Sequence, residues 1–190
     1  LGDSASQILG KLMCNGIFIL INQNGIFFGP QAQVDVASMI ASTRDITNSD
    51  FLDSQYIFGK LSPQQLDALL INQGAINIRQ GGFGVLIAGA IENQGTIIAP
   101  VGTIALAAGD LVRVDISGNG LISVAIDQAT ASTILDQEGN PITSQIKNTG
   151  TLQADDGVVL LKAESATDVF KTAVNLQGYV RANKVVEKDG

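Results

Sequence analysis

The stretch at residues 91–109, IENQGTIIAPVGTIALAAG, decides the fold. Asn93 opens a turn and Gly95 completes it. Ile97 and Ala99 then alternate with other residues, Gly102 makes a second turn, and Ile104, Leu106 and Ala108 alternate again. Apolar residues at every second position mark a strand with one buried face, so this stretch spells two short strands joined by glycine turns.

The same frame recurs. An earlier copy carries Asn72, Gly74, Ile76, Ile78, Gly81, Phe83, Val85 and Ile87, and a later one Asn148, Gly150, Leu152, Ala154, Gly157, Val159, Leu161 and Ala163. The 21 residues from Asn72 to Asn93 fit a solenoid coil. One such coil cannot bury its own apolar face, whereas parallel stacking at about 4.8 Å pairs the backbones and encloses an aliphatic interior. The fold class is therefore all-β, a parallel β-helix in which the alternating apolar residues of each copy point inward. A leucine-rich repeat would need more leucine and a helical or turn segment in each unit. The asparagines that open the turns, Asn72, Asn93 and Asn148, are read as structural: Asn tolerates left-handed turn conformations and stacks in side-chain ladders.

Composition agrees. At 190 residues, 45% hydrophobic and 5% aromatic, the chain can bury a narrow aliphatic core. Its net charge of −7, with 11 Lys plus Arg against 18 Asp plus Glu and no basic run, leaves no electrostatic footprint for nucleic acid. Histidine is absent, and the single Cys14 cannot form an intrachain disulfide and is read as a small buried apolar residue. The apolar run IFILI at 17–21 is far shorter than a membrane-spanning helix. No cofactor or metal is expected: Gly81-Gly82-Phe83-Gly84-Val85 lacks the Asp of a calcium-binding GGxGxD repeat.

Around the coils, residues 1–14 read as a loop and 15–43 as strand-rich, with Ala32, Val34 and Val36 on one face. Residues 44–70 break the pattern as an excursion. Within it Ser62, Pro63 and Gln65 cap a short helix at about 63–69 that turns Leu66, Leu69 and Leu70 toward the solenoid. A second excursion, about 110–146, opens as a β-hairpin turning at Gly118-Asn119-Gly120. The last coil starts at Asn175 with one extra residue before Gly178.

The run ILGKLMCNGIFILINQNGIFFGPQAQVDVASMIASTRDITNSDF at 8–51, followed by the NQG, NQG and NTG coils and by GTIALAAGDLVRVDISGNG, resembles the filamentous haemagglutinin N-terminal domain. This is the two-partner secretion domain of large bacterial exoproteins. The resemblance covers nearly the whole chain. It implies a right-handed parallel β-helix with an extra-helical hairpin and short helix, secreted to or through the surface of a Gram-negative bacterium and recognised by an outer-membrane β-barrel transporter. It also implies that host glycans or proteins are met by the full exoprotein. The family's Asn-Pro-Asn-Gly-Ile turn stands here as Asn22-Gln23-Asn24-Gly25-Ile26, which makes Asn22, Asn24, Gly25 and Ile26 the candidate transporter-recognition residues. The family's signal peptide and early cap strands are not seen before Leu1, so the expectation is one domain over 1–190, truncated at its N-terminus.

The alternative is a polysaccharide-binding or polysaccharide-cleaving β-helix, the architecture of pectate lyases and polygalacturonases. Cleavage needs clustered carboxylates beside a cation, and the one adjacent pair, Asp155-Asp156, sits in a turn. The chain is thus expected not to be an enzyme.

Overall fold

The computed structural model describes residues 4–60, 62, 67–117, 122–136 and 138–183. Its N-terminal coils comprise β1 (Ser6–Ile8), β2 (Lys11–Ile21), β3 (Ile26–Phe28) and β4 (Gln33–Ser42). The first excursion holds α1 (Asn48–Leu52) and β5 (Tyr56–Gly59). Next come β6 (Leu69–Asn72), β7 (Ala75–Ile78) and β8 (Phe83–Ala88), then β9 (Ala90–Asn93), β10 (Thr96–Ile98) and β11 (Thr103–Ala108). After the second excursion, β12 (Leu111–Ile116) and β13 (Ile122–Gln128), the coil resumes as β14 (Ser144–Asn148), β15 (Thr151–Gln153) and β16 (Val158–Ala163). It ends with β17 (Thr172–Leu176) and β18 (Tyr179–Arg181).

These strands stack in parallel as a three-sided β-helix, the fold that the repeat frame implied. One side runs β1-β3-β6-β9-β14-β17. The other two, β7-β10-β15-β18 and β8-β11-β16, join through β4, whose first half pairs with β7 and second half with β8. Residues 6–8 and 11–14, expected to be loop, are strand: β1 pairs with β3, and β2 with β4, across a register shift between Cys14 and Ile17. Cys14 is half-buried rather than buried.

The interior is aliphatic. Val34, Leu70, Ile76, Ile97, Ile104, Leu106 and Leu152 lie within it at 0–1% exposure. In the first copy, however, the second strand points the other way. Ile104, Leu106 and Ala108 pair with Gly84, Leu86 and Ala88, so Phe83, Val85 and Ile87 face outward. Residues 79–81 form a turn one residue longer than 100–101, which makes Gly82, not Gly81, the partner of Gly102. A one-residue slip moves every side chain to the opposite face of a strand. The slip is tolerated because both faces of β8 are buried: Phe83, Val85 and Ile87 join Ile40, Ala105, Phe58, Val112 and Val114 in a second core.

That second core lies under an antiparallel sheet ordered β13-β12-β5, which joins the two excursions. The hairpin turn at 118–120 lies outside the described residues. So do residues 63–66 of the expected helix, and Leu69 belongs to β6 instead. The described helix is α1, whose N-cap Thr47 accepts from the Asp50 N–H. In the last coil Leu176, not Asn175, pairs with Asn148, so the frame has no extra residue there.

Candidate functional site

The turn at 22–26 is tied on four sides. The Asn22 N–H donates to Ser42 O at 3.0 Å, and the Ser6 N–H donates to Gly25 O at 2.9 Å. The Asn22 side chain accepts from the Asn24 N–H at 2.9 Å and donates to Ser4 O and Ser6 Oγ at 3.1 and 2.9 Å. Gln23 Nε2 reaches Asp45 Oδ2 at 2.9 Å, linking the turn to the first excursion. Gly25 has φ +115, and a side chain there would crowd Ala5 and Leu69 O at 3.3 Å. Ile26 is 1% exposed and anchors the turn in the interior, whereas Asn24 is exposed. The four candidate residues therefore divide physically: Asn22, Gly25 and Ile26 build the turn, and Asn24 stands at its surface.

Asn72, Asn93 and Asn148, each fully buried, sit at one corner of successive coils. Asn72 Nδ2 donates to Asn93 Oδ1 at 2.8 Å, and Asn93 Nδ2 donates to Asn148 Oδ1 at 2.7 Å. Beside this chain of amides, Gly95 packs so close to the coil below that an added Cβ would lie 2.1 Å from Gly74 O. The ladder ends at Phe28 on one side and Leu176 on the other.

Two features had no single-residue signal in the sequence. The first is a buried charge cluster at the base of both excursions. Arg44 Nη2 lies 2.6 Å from Asp67 Oδ1 and 2.9 Å from Asp110 Oδ1, while Lys60 Nζ lies 2.7 Å from Asp67 Oδ2 and 3.3 Å from Asp110 Oδ2. The Arg44 and Asp67 side chains are 0% exposed. Arg44 Nε also donates to Gly109 O at 2.9 Å.

The second is a groove of about 320 Å³ beside the turn, touching Gln23, Asn24, Gly25, Ile26 and Phe27. It adjoins another of about 370 Å³, and the two share Leu69, Ile71 and Asp136. The wall is a small hairpin in which Leu135 bridges Pro141 and Ile134, 1% exposed, anchors the base. Asp136 Oδ1 accepts from the Glu138 and Asn140 N–H groups at 2.9 and 2.8 Å. The Asn140 N–H above all, with smaller help from the Asn140 side chain and the Glu138 and Gly139 N–H groups, holds the Asp136 carboxyl below its ordinary value against the opposing effect of desolvation.

A family model described as "TPS secretion domain" matches residues 1–190. The chain belongs to the TPS secretion domain family. Among curated relatives of this TPS secretion domain, a heme/hemopexin-binding protein of Haemophilus influenzae strain Rd is 30% identical over 194 residues. That match takes in 100% of this chain and 20% of the relative. A second Haemophilus influenzae heme/hemopexin-binding protein is 27% identical over 206 residues, with 100% and 21% covered. The TPS secretion domain thus spans about a fifth of the length of these curated relatives. The crystal structure of the HMW1 secretion domain from Haemophilus influenzae superposes with a TM-score of 0.69 at 26% identity, covering 94% of this chain and 50% of that one.

The two carboxylates weighed for catalysis lie in the turn before β16 of this TPS secretion domain. Asp155 lies 2.6 Å from Arg181 Nε and accepts from Gln153 Nε2 at 2.5 Å, and Asp156 occupies the turn with φ 56.

Proposed function

We propose that this domain is the export signal of a two-partner secretion exoprotein and that the outer-membrane transporter reads it at the turn of residues 22–26. The observation that carries the reading is the family match over the whole chain, together with a turn that is rigidly held yet leaves Asn24 at the surface. TPS domains belong to exoproteins secreted across the outer membrane of Gram-negative bacteria, which supports the reading of the full protein as secreted or held at the cell surface. The domain acts in this reading by being recognised, not by catalysis. Contacts with host glycans or proteins belong in this reading to the remainder of the exoprotein. The acidic balance of −7 speaks against nucleic acid. Co-expression of the exoprotein with and without its transporter tests the proposal. Export that depends on the transporter and on residues 1–190 is expected; export of a protein lacking them contradicts it.

A further inference from the structure

We propose that the paired grooves beside the turn form a docking channel for an extended, cationic segment of the transporter; this rests on the reading of the domain as the transporter's target. The register across the first side of the helix places Phe27, Ile71, Glu92 and Lys147 in one outward row, running from the turn along the solenoid axis. Four strands at about 4.8 Å spacing give a floor of roughly 14 Å, the span of about four residues of extended chain. The turn-proximal end of this floor is apolar, with Phe27, Leu69 and Ile71 half-buried beneath Leu135, which is 53% exposed. An apolar side chain of the partner gains by covering them.

The far end selects for charge. Glu92 and Lys147 neutralise one another at 2.7 Å. Asp136 and Glu138, on the overhanging hairpin, have no cationic partner among the described residues. The channel therefore carries an excess of negative charge on one lip, and its electrostatic complement is Lys or Arg. The wall is preorganised, because the Asp136 carboxylate already holds the Glu138 and Asn140 N–H groups. A partner thus meets a formed channel and need not order a loop.

The test is association of the purified domain with the purified transporter, measured by biolayer interferometry at low and high salt. The variants are the parent, Asn24→Ala, Ile71→Lys, and Glu138→Lys with Thr143→Lys. The last pair spares Asp136, the residue that folds the wall, and both its sites are exposed. Melting temperatures of all four proteins are recorded alongside. This double variant, which reverses one charge and adds another, is expected to slow association about tenfold and to flatten its salt dependence, with an unchanged melt, as rim charges act mainly on association. Ile71→Lys is expected to speed dissociation. Parent-like association, dissociation and salt dependence in both groove variants, with Asn24→Ala impaired, would overturn the channel and leave the turn as the recognition site. A parent that fails to bind the transporter would overturn both readings.

Discussion

Asp67→Ala tests what fastens the two excursions to the coils. Its carboxylate is 0% exposed and meets Arg44 Nη2 at 2.6 Å and Lys60 Nζ at 2.7 Å. Removing it leaves two cations facing Asp110 alone, one of them the fully buried Arg44. Breaking a buried pair from one side typically costs about 3–5 kcal/mol, because the remaining charge keeps its desolvation penalty. At about 2–4 °C per kcal/mol for a domain of this size, the melting temperature should fall by roughly 6–20 °C. Arg113→Ala provides the contrast. Its pair with Asp127 is equally short at 2.7 Å but 48% and 28% exposed, so solvent screens it and its loss should leave the melt close to the parent's. Arg44→Met combined with Asp67→Ala should recover much of the loss, since Lys60 and Asp110 can still pair. Circular dichroism melts of the four proteins decide the matter. An Asp67→Ala melt within about 2 °C of the parent would refute the reasoning.

Three further outcomes are expected. Asn93→Ala removes both rungs of the amide ladder, stranding buried groups of Asn72 and Asn148; at about 1–3 kcal/mol for each stranded group, urea unfolding should shift by about 2–6 kcal/mol, and a shift below about 0.5 would count against the ladder. Ile97→Asp and Leu106→Asp each place a carboxylate at a position 1% exposed, so neither should yield a soluble protein with a cooperative melt; a parent-like melt would mean the inward assignment is wrong. The Asp136 carboxyl is held below its ordinary value in the native state, so its contribution to the 136–140 turn is complete above the ordinary carboxylate range. It is lost as pH falls through the depressed native value. Protection of the Glu138 and Asn140 amides, taken relative to their intrinsic exchange rates, should fall over that acid window, and Asp136→Asn should abolish this change in protection.

The coil was legible because its period is written twice, in the turns and in the apolar alternation. The ladder corner could be placed from Asn72, Asn93 and Asn148 alone. The direction of Phe83, Val85 and Ile87 was not legible: β8 is apolar on both faces, so alternation carries no information there, and Gly81 and Gly82 offer two frames. Asn175 misled for a related reason, standing one position before the Leu176 that continues the ladder column. The β5–β12 pairing joins segments far apart in sequence and had no local signal. The charge cluster had no local signal either: Arg44, Lys60, Asp67 and Asp110 are scattered along the chain and meet only in the fold. At the turn of residues 22–26 the motif pointed to Asn22, Asn24, Gly25 and Ile26 alike, but only the structure separates the bonds of Asn22 from the surface position of Asn24.

The central claim is that the turn is read by the transporter as well as being a corner of the fold. Asn24→Ala in the full-length exoprotein, with secreted protein in the medium measured beside the melting temperature of the purified domain, tests it most directly. The loss of one exposed side-chain interaction should cost no more than about 1 kcal/mol. The account predicts export that falls severely while the melt shifts by only a few degrees. Normal export with an unchanged melt would remove Asn24 from recognition, and a loss of export matched by a collapse of the melt would return the residue to a purely structural role.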